Sequence, residues 1–156
     1  MKAVIIGVAH WHAPIYAQVL TELGVPVLGA SDLDASAGES AARHLGLAFA
    51  PQSATLLDRA HPDIAFVLPR HDRVLDELRP VLNRRLPFLI EKPMGRTGAE
   101  ARAIARAASG TGVFAASAMA NRELQIWTRL AALRETGQLG TVIHAHFRLV
   151  NGPPGT

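Results

Sequence analysis

The chain has 156 residues, of which 49% are hydrophobic and 19% charged, with a formal net charge of +3 and no cysteine. That composition is globular rather than disordered, and a chain of this length buries roughly two thirds of its unfolded surface. It excludes a disulfide framework and thiolate chemistry, offers no basic tract for nucleic acid, and contains no apolar run near the ~20 residues that cross a bilayer. The opening "MKAVIIGV" lacks the length and cleavage pattern of a secretory signal, so the expected location is the cytoplasm.

"KAVIIGV" (2–8) is a continuous β-branched run, the pattern of a strand buried on both faces. "APIYAQVLTELG" (13–24) is a predicted helix with Pro14 in its first turn, Gly24 at its end, and an apolar row of Ile15, Val19 and Leu23 beside Leu20. A strand at 25–31, a helix at 34–46 and a short strand at 47–50 follow. The pattern then gives a helix at 53–60 and an apolar strand at 62–69 that stops at a proline.

Residues 70–85 read as a helix with Val74, Leu75, Leu78 and Leu82 on one side and an interruption at Pro80. A strand at 86–93 leads to a helix at 97–110, where Thr97 and Glu100 make a capping box, and to a sixth strand at 111–118. A long helix over 121–140 and a long strand over 141–150 close the pattern. Six alternations of strand and helix predict an α/β fold, a doubly wound parallel sheet of Rossmann type. The expected domains are residues 1–120 and a second, truncated domain opening at 121–156 with one helix and one strand.

Ligands of such sheets bind beyond the carboxyl ends of the strands, where the strand order reverses. The dinucleotide fingerprint there is G-x-G-x-x-G, and this chain reads Gly7-Val8-Ala9-His10-Trp11-His12. Only the first glycine is present, so the loop is either a phosphate cradle or a plain strand–helix turn. Asp32, 25 residues after Gly7 and just past the second strand, is placed to accept from a ribose 2′-hydroxyl and to repel a 2′-phosphate. That favours NAD over NADP. Asp32 also reads as a helix cap, a task for which Asp34 is equally available.

His10 and His12, with His71, His144 and His146 in reserve, suggest a metal site. No acidic cluster or third ligand follows at a matching spacing, and no metal is expected.

The chain holds fourteen arginines and only two lysines, Lys2 and Lys92. A lysine at the end of a buried strand, after Glu91 and before Pro93, is either half of an ion pair or an acid–base group that arginine could not replace.

Taken together, several segments resemble the Gfo/Idh/MocA family of oxidoreductases, the glucose–fructose oxidoreductase and inositol dehydrogenase type. They are "KAVIIGV" with its loop, Asp32, "PDIAFVLPRH", "EKP" at 91–93, "GVFAASAMANRE" and "GQLGTVIHAHF". The resemblance implies a Rossmann domain that binds NAD or NADP, of which Asp32 favours NAD, joined to an α/β domain with an open, mostly antiparallel sheet. It implies hydride exchange between nicotinamide and a hydroxyl-bearing carbon of a sugar or polyol, with Lys92 at the reacting hydroxyl. Residues 7–12, Asp32, Leu68, Pro69 and Glu91 would line the cofactor, and Asn121 would lie near its nicotinamide half.

The resemblance also implies assembly through the second domain. Nucleic acid and membrane are not expected partners. Two departures stand out: two glycines of the loop are missing, and Arg73 occupies a position where the family often has histidine. Further catalytic groups are expected in a second domain beyond Thr156, so these residues alone are expected not to turn over substrate. Two rival readings stay open: a non-catalytic nucleotide-binding or assembly module of the same fold, and a fragment of a metal-dependent hydrolase.

Overall fold

The opening β-branched run forms β1 (Ala3–Ile6), and none of its four residues is more than 1% exposed. A strand so covered belongs at the centre of a sheet with helices on both faces. The structure, a computed structural model, describes residues 1–146 and 148. Its other strands are β2 (Val27–Ser31), β3 (Phe49–Ala50), β4 (Ile64–Val67), β5 (Phe88–Ile90) and β6 (Ala115–Ser117). All pair in parallel, in the order β3–β2–β1–β4–β5–β6. This is the doubly wound Rossmann order, and its reversal lies between β1 and β4.

The helices of this unit are α1 (Ala13–Glu22), α2 (Ala35–His44), α3 (Ser53–Ala60), α4 (Val74–Asn83) and α5 (Gly98–Ser109). Side chains alternate along β1. Val4 and Ile6 join Leu57, Leu78, Val81 and Ile104 in one core, while Ile5 joins Ala13, Ala30, Ala42 and Leu68 in the other. Each fully buried aliphatic side chain contributes about 1.5–3 kcal/mol. Asp34 caps α2 by accepting from Ala37 N–H, and Thr97 caps α5 by accepting from Glu100 N–H.

The register fixes the site. Ile6 stands opposite both Ser31 and Val67, and Val67 stands opposite Ile90. The next residues along these four strands, Gly7, Asp32, Leu68 and Glu91, therefore share one edge of the sheet.

Several sequence expectations are corrected. The row Ile15, Val19 and Leu23 faces outward on α1, and Ala13 and Leu20 are the buried residues. The sheet beneath α1 is lined by small and β-branched side chains, and Tyr16 and Ala17 complete that contact. Helix α4 begins at Val74, because residues 70–73 form the loop that leaves β4. It runs through Pro80 without interruption, and packing of Leu78 and Val81 against the sheet offsets the missing hydrogen bond. Leu75 is exposed, and Glu77 takes a place on the buried side.

The chain divides into two compact units, residues 1–118 and residues 119–156. The second unit holds a short 3₁₀ turn at Ala120–Glu123 and α6 (Gln125–Glu135). The expected continuous helix is broken because Leu124 is extended, with φ −64° and ψ 137°. Residues 141–146 form no strand: an extended segment becomes one only when another takes its backbone groups, and none among the described residues does. The rest of the predicted strand, at 147 and 149–150, lies outside the described residues. No helix among the described residues is long and apolar enough to cross a membrane.

Candidate functional site

Gly7 ends β1 with φ +80°. Its N–H and that of Val8 both donate to Ser31 O, at 2.8 and 3.1 Å, tying the loop to β2. A side chain at Gly7 would collide with the carbonyl of Leu68, so this first glycine is required by both backbone and space. Val8 is buried, whereas Ala9 is exposed and Trp11 is 73% exposed. His10 N–H returns to Gly7 O at 3.1 Å, and His12 N–H donates to His10 Nδ1 at 3.1 Å. The Trp11 N–H has no acceptor among the described residues. The loop therefore turns with side chains and local bonds where glycines would otherwise be used.

Asp32 is only 7% exposed, and both of its carboxylate oxygens accept from backbone at the strand tips. Its Oδ2 accepts from Ala9 N–H at 2.8 Å and its Oδ1 from Asp34 N–H at 2.9 Å. Asp34 takes the capping role, so Asp32 spans the gap between the two strand tips. Gly38 permits this: a side chain there would collide with Asp32 and with the Phe49 ring. A glycine inside a helical pattern was the available signal for that close approach.

Leu68 is buried, and its N–H donates to Ile6 O at 2.8 Å; Pro69 is also buried. Glu91 is 4% exposed and collects three donors: Tyr16 Oη at 2.8 Å, Lys92 N–H at 2.9 Å and His12 Nδ1 at 3.1 Å. Burial pushes its carboxyl up, but these donors outweigh burial and hold it below the ordinary carboxylate range. Burial, with the hydrogen bond to Glu91, raises the Tyr16 phenol. Burial also lowers His10, and His12 beside it acts in the same direction. Tyr16 was missed in the sequence, although it is the chain's one tyrosine.

Lys92 follows directly, across a cis peptide bond to Pro93. Its side chain is 51% exposed, so it stands in water at the rim rather than inside the sheet. Its Nζ lies 3.6 Å from Glu91 Oε1 and 5.7 Å from the centre of the Trp11 ring. Lys92, Trp11, His12 and Glu91 thus meet at one end of the crevice, and Asp32 and Ala9 meet at the other. Asn121 belongs to the 3₁₀ turn of the second unit.

No group of three or more histidine, aspartate or glutamate side chains among the described residues is arranged to hold a metal. His10 Nδ1 and His12 Nδ1 are both engaged elsewhere. Two concavities are lined by other residues. One is lined by charges already paired, Arg73 with Asp76 at 2.6 Å and Arg96 with Glu100 at 2.9 Å. The other is an apolar groove against Phe88, Ile104 and Ala115. The first gathers charged groups that pair with one another, and the second is mostly apolar.

The residues fit a dinucleotide. Trp11 N–H is free for an anion, and the loop leads directly into the N-terminus of α1. Asp32 keeps lone pairs for sugar hydroxyls.

The family model described as "Oxidoreductase family, NAD-binding Rossmann fold" matches residues 1–118. No curated protein matches the sequence. Among solved structures, myo-inositol 2-dehydrogenase from Lactobacillus plantarum is 21% identical with a TM-score of 0.77, over 92% of this chain and 43% of its own. An oxidoreductase from Agrobacterium radiobacter in complex with NAD+, L-tartaric acid and magnesium is 15% identical with a TM-score of 0.77, over 90% and 42%. UDP-N-acetylglucosamine 3-dehydrogenase GnnA from Acidithiobacillus ferrooxidans is 22% identical with a TM-score of 0.71, over 88% and 43%. The chain thus spans about two fifths of the length of these relatives, and the likeness is one of fold.

Proposed function

The chain belongs to the Gfo/Idh/MocA oxidoreductase family as its NAD-binding Rossmann domain, and from that premise we propose that it serves a dehydrogenase acting on a hydroxyl of a sugar, polyol or related small molecule. In this reading the loop Gly7–His12 seats the diphosphate and Asp32 grips the adenosine ribose, selecting NAD over NADP. Leu68 and Pro69 form the wall between them, and Asn121 is the residue that the resemblance assigns to the nicotinamide half. NAD, when bound, supplies the nicotinamide carbon that accepts a hydride.

Lys92 acts on the reacting hydroxyl, holding or taking its proton at Nζ. Glu91 positions Lys92 from 3.6 Å, and is itself held by Tyr16 and His12. Residues 121–156 belong to a second domain, through which copies of the protein assemble.

The observation that carries this reading is the single edge of the sheet shared by Asp32 and Lys92, with the Gly7 loop between them. Calorimetric titration with NAD+ and NADP+ tests it. The reading expects NAD+ to bind more tightly; absence of heat and of thermal stabilisation with either dinucleotide would refute it.

A further inference from the structure

Glu77 is a buried acid for which the hydride chemistry has no use. It lies in the first turn of α4, on the same side as Val74, Leu78 and Val81, and is 2% exposed. Its Oε2 is buried without a hydrogen-bond partner among the described residues. That oxygen sits 3.2 Å from where a side-chain carbon on Gly7 would stand, directly behind the loop assigned to the diphosphate.

The groups facing Glu77 are Asp32 from the end of β2, and Arg70 and Arg73 from the loop between β4 and α4. Both arginines are exposed and already paired, Arg70 with Asp72 at 3.3 Å and Arg73 with Asp76 at 2.6 Å, so their neutralising effect is weak. The Arg70 backbone N–H also favours the charged form. Burial, and after it the Asp32 carboxylate, prevails over these and pushes Glu77 up to about 7.

We infer that Glu77 couples dinucleotide binding to proton uptake, the cofactor's diphosphate and a proton on Glu77 Oε2 being taken up together. This rests on the reading that the Gly7 loop holds the diphosphate. Two phosphate charges close to a buried carboxylate repel it with little solvent screening, whereas the neutral acid does not. The proton comes from solvent, the carboxylate becomes a carboxylic acid, and no covalent bond to the cofactor forms. Affinity therefore falls as pH rises through neutrality and levels off where the bound protein also loses the proton.

The test is calorimetric titration of the wild-type chain with NAD+ between about pH 6 and about pH 9, in two buffers of different ionisation enthalpy. The expected result is binding at least about fivefold weaker at the alkaline end, with fractional proton uptake near neutrality. Glu77→Gln, which carries no charge at any pH, is expected to flatten the profile and abolish the uptake. His10, held below the ordinary histidine range, is already neutral across most of this window. NAD+ binding by the wild type without proton uptake or pH dependence overturns this inference and leaves the dinucleotide site standing. So does a Glu77→Gln protein with the wild-type slope. Absence of NAD+ binding at every pH overturns both.

Discussion

The backbone N–H of Ala9 donates to Asp32 Oδ2 at 2.8 Å, joining the loop after β1 to the acid after β2 across the mouth of the crevice. With Asp34 N–H on the other oxygen, the carboxylate is held in one orientation. Hydrogen bonds to a charged group contribute about 1.5–3 kcal/mol, so Asp32→Ala is expected to weaken NAD+ binding roughly 10- to 100-fold. NADP+ binding should weaken less, because the carboxylate repels a 2′-phosphate. Calorimetry with both dinucleotides checks this, and equal losses would contradict it.

Lys92 stands half in water with its ammonium near both Glu91 and Trp11. In a protein that carries the second domain, Lys92→Ala is expected to lower kcat by about 10²- to 10⁴-fold, the usual worth of a positioned acid–base group. NAD+ binding should stay within about fivefold, as for loss of an exposed charge. Lys92→Arg should not restore turnover, since guanidinium gives up no proton. Production of NADH followed by absorbance separates these outcomes. A wild-type protein that binds NAD+ and turns over none of a sugar and polyol panel would favour a sensing or assembly module.

Tyr16 is one of three donors to the buried Glu91. Tyr16→Phe should cost about 1–2 kcal/mol in urea unfolding, because the carboxylate loses a partner that water does not replace. Glu91 lies below its ordinary range in the folded chain. The stability it contributes is therefore present above the ordinary carboxylate range and lost as pH falls through the folded value. Tyr16→Phe should move the midpoint of acid unfolding to higher pH, and an unchanged midpoint would contradict the assigned role.

Glu77 has the opposite sign. Its carboxyl is pushed up from 4.5 to about 7, so the folded chain keeps a proton that the unfolded chain has lost. Stability is full below the ordinary value and falls as pH rises through the folded one, by up to about 3 kcal/mol in all. Denaturant titrations across that window should show Glu77→Gln gaining on the wild type as pH rises. A constant difference would mean that the buried acid titrates as an ordinary one.

The layering was legible because β1 and β4 are apolar on both faces, a pattern that only a doubly covered strand needs. Asp32 was legible for a different reason: its distance from Gly7 is set by the length of one strand–helix–strand unit. The exposed row on α1 was not, because Ile15, Val19 and Leu23 have helical spacing whichever side they face, and the small residues Ala13 and Ala17 leave a fainter pattern. Tyr16 and Glu91 are 75 residues apart in sequence, and only the parallel pairing of β4 with β5 brings the second to the first. Glu77 did leave a mark, as a carboxylate on an otherwise apolar stripe with Val74, Leu78 and Val81. Helix periodicity locates such a residue, but Gly7 and Asp32, which follow β1 and β2, reach it only in the folded chain.

The most direct test follows the amide signals of ¹⁵N-labelled protein while NAD+ is added. The account predicts saturable shifts at Gly7, Ala9, Trp11, Asp32 and Asp34, all with one dissociation constant, as the Ala9–Asp32 pair makes room for sugar hydroxyls. Signals at these residues that stay fixed in about millimolar NAD+, or shifts gathered at another part of the folded chain, would contradict it.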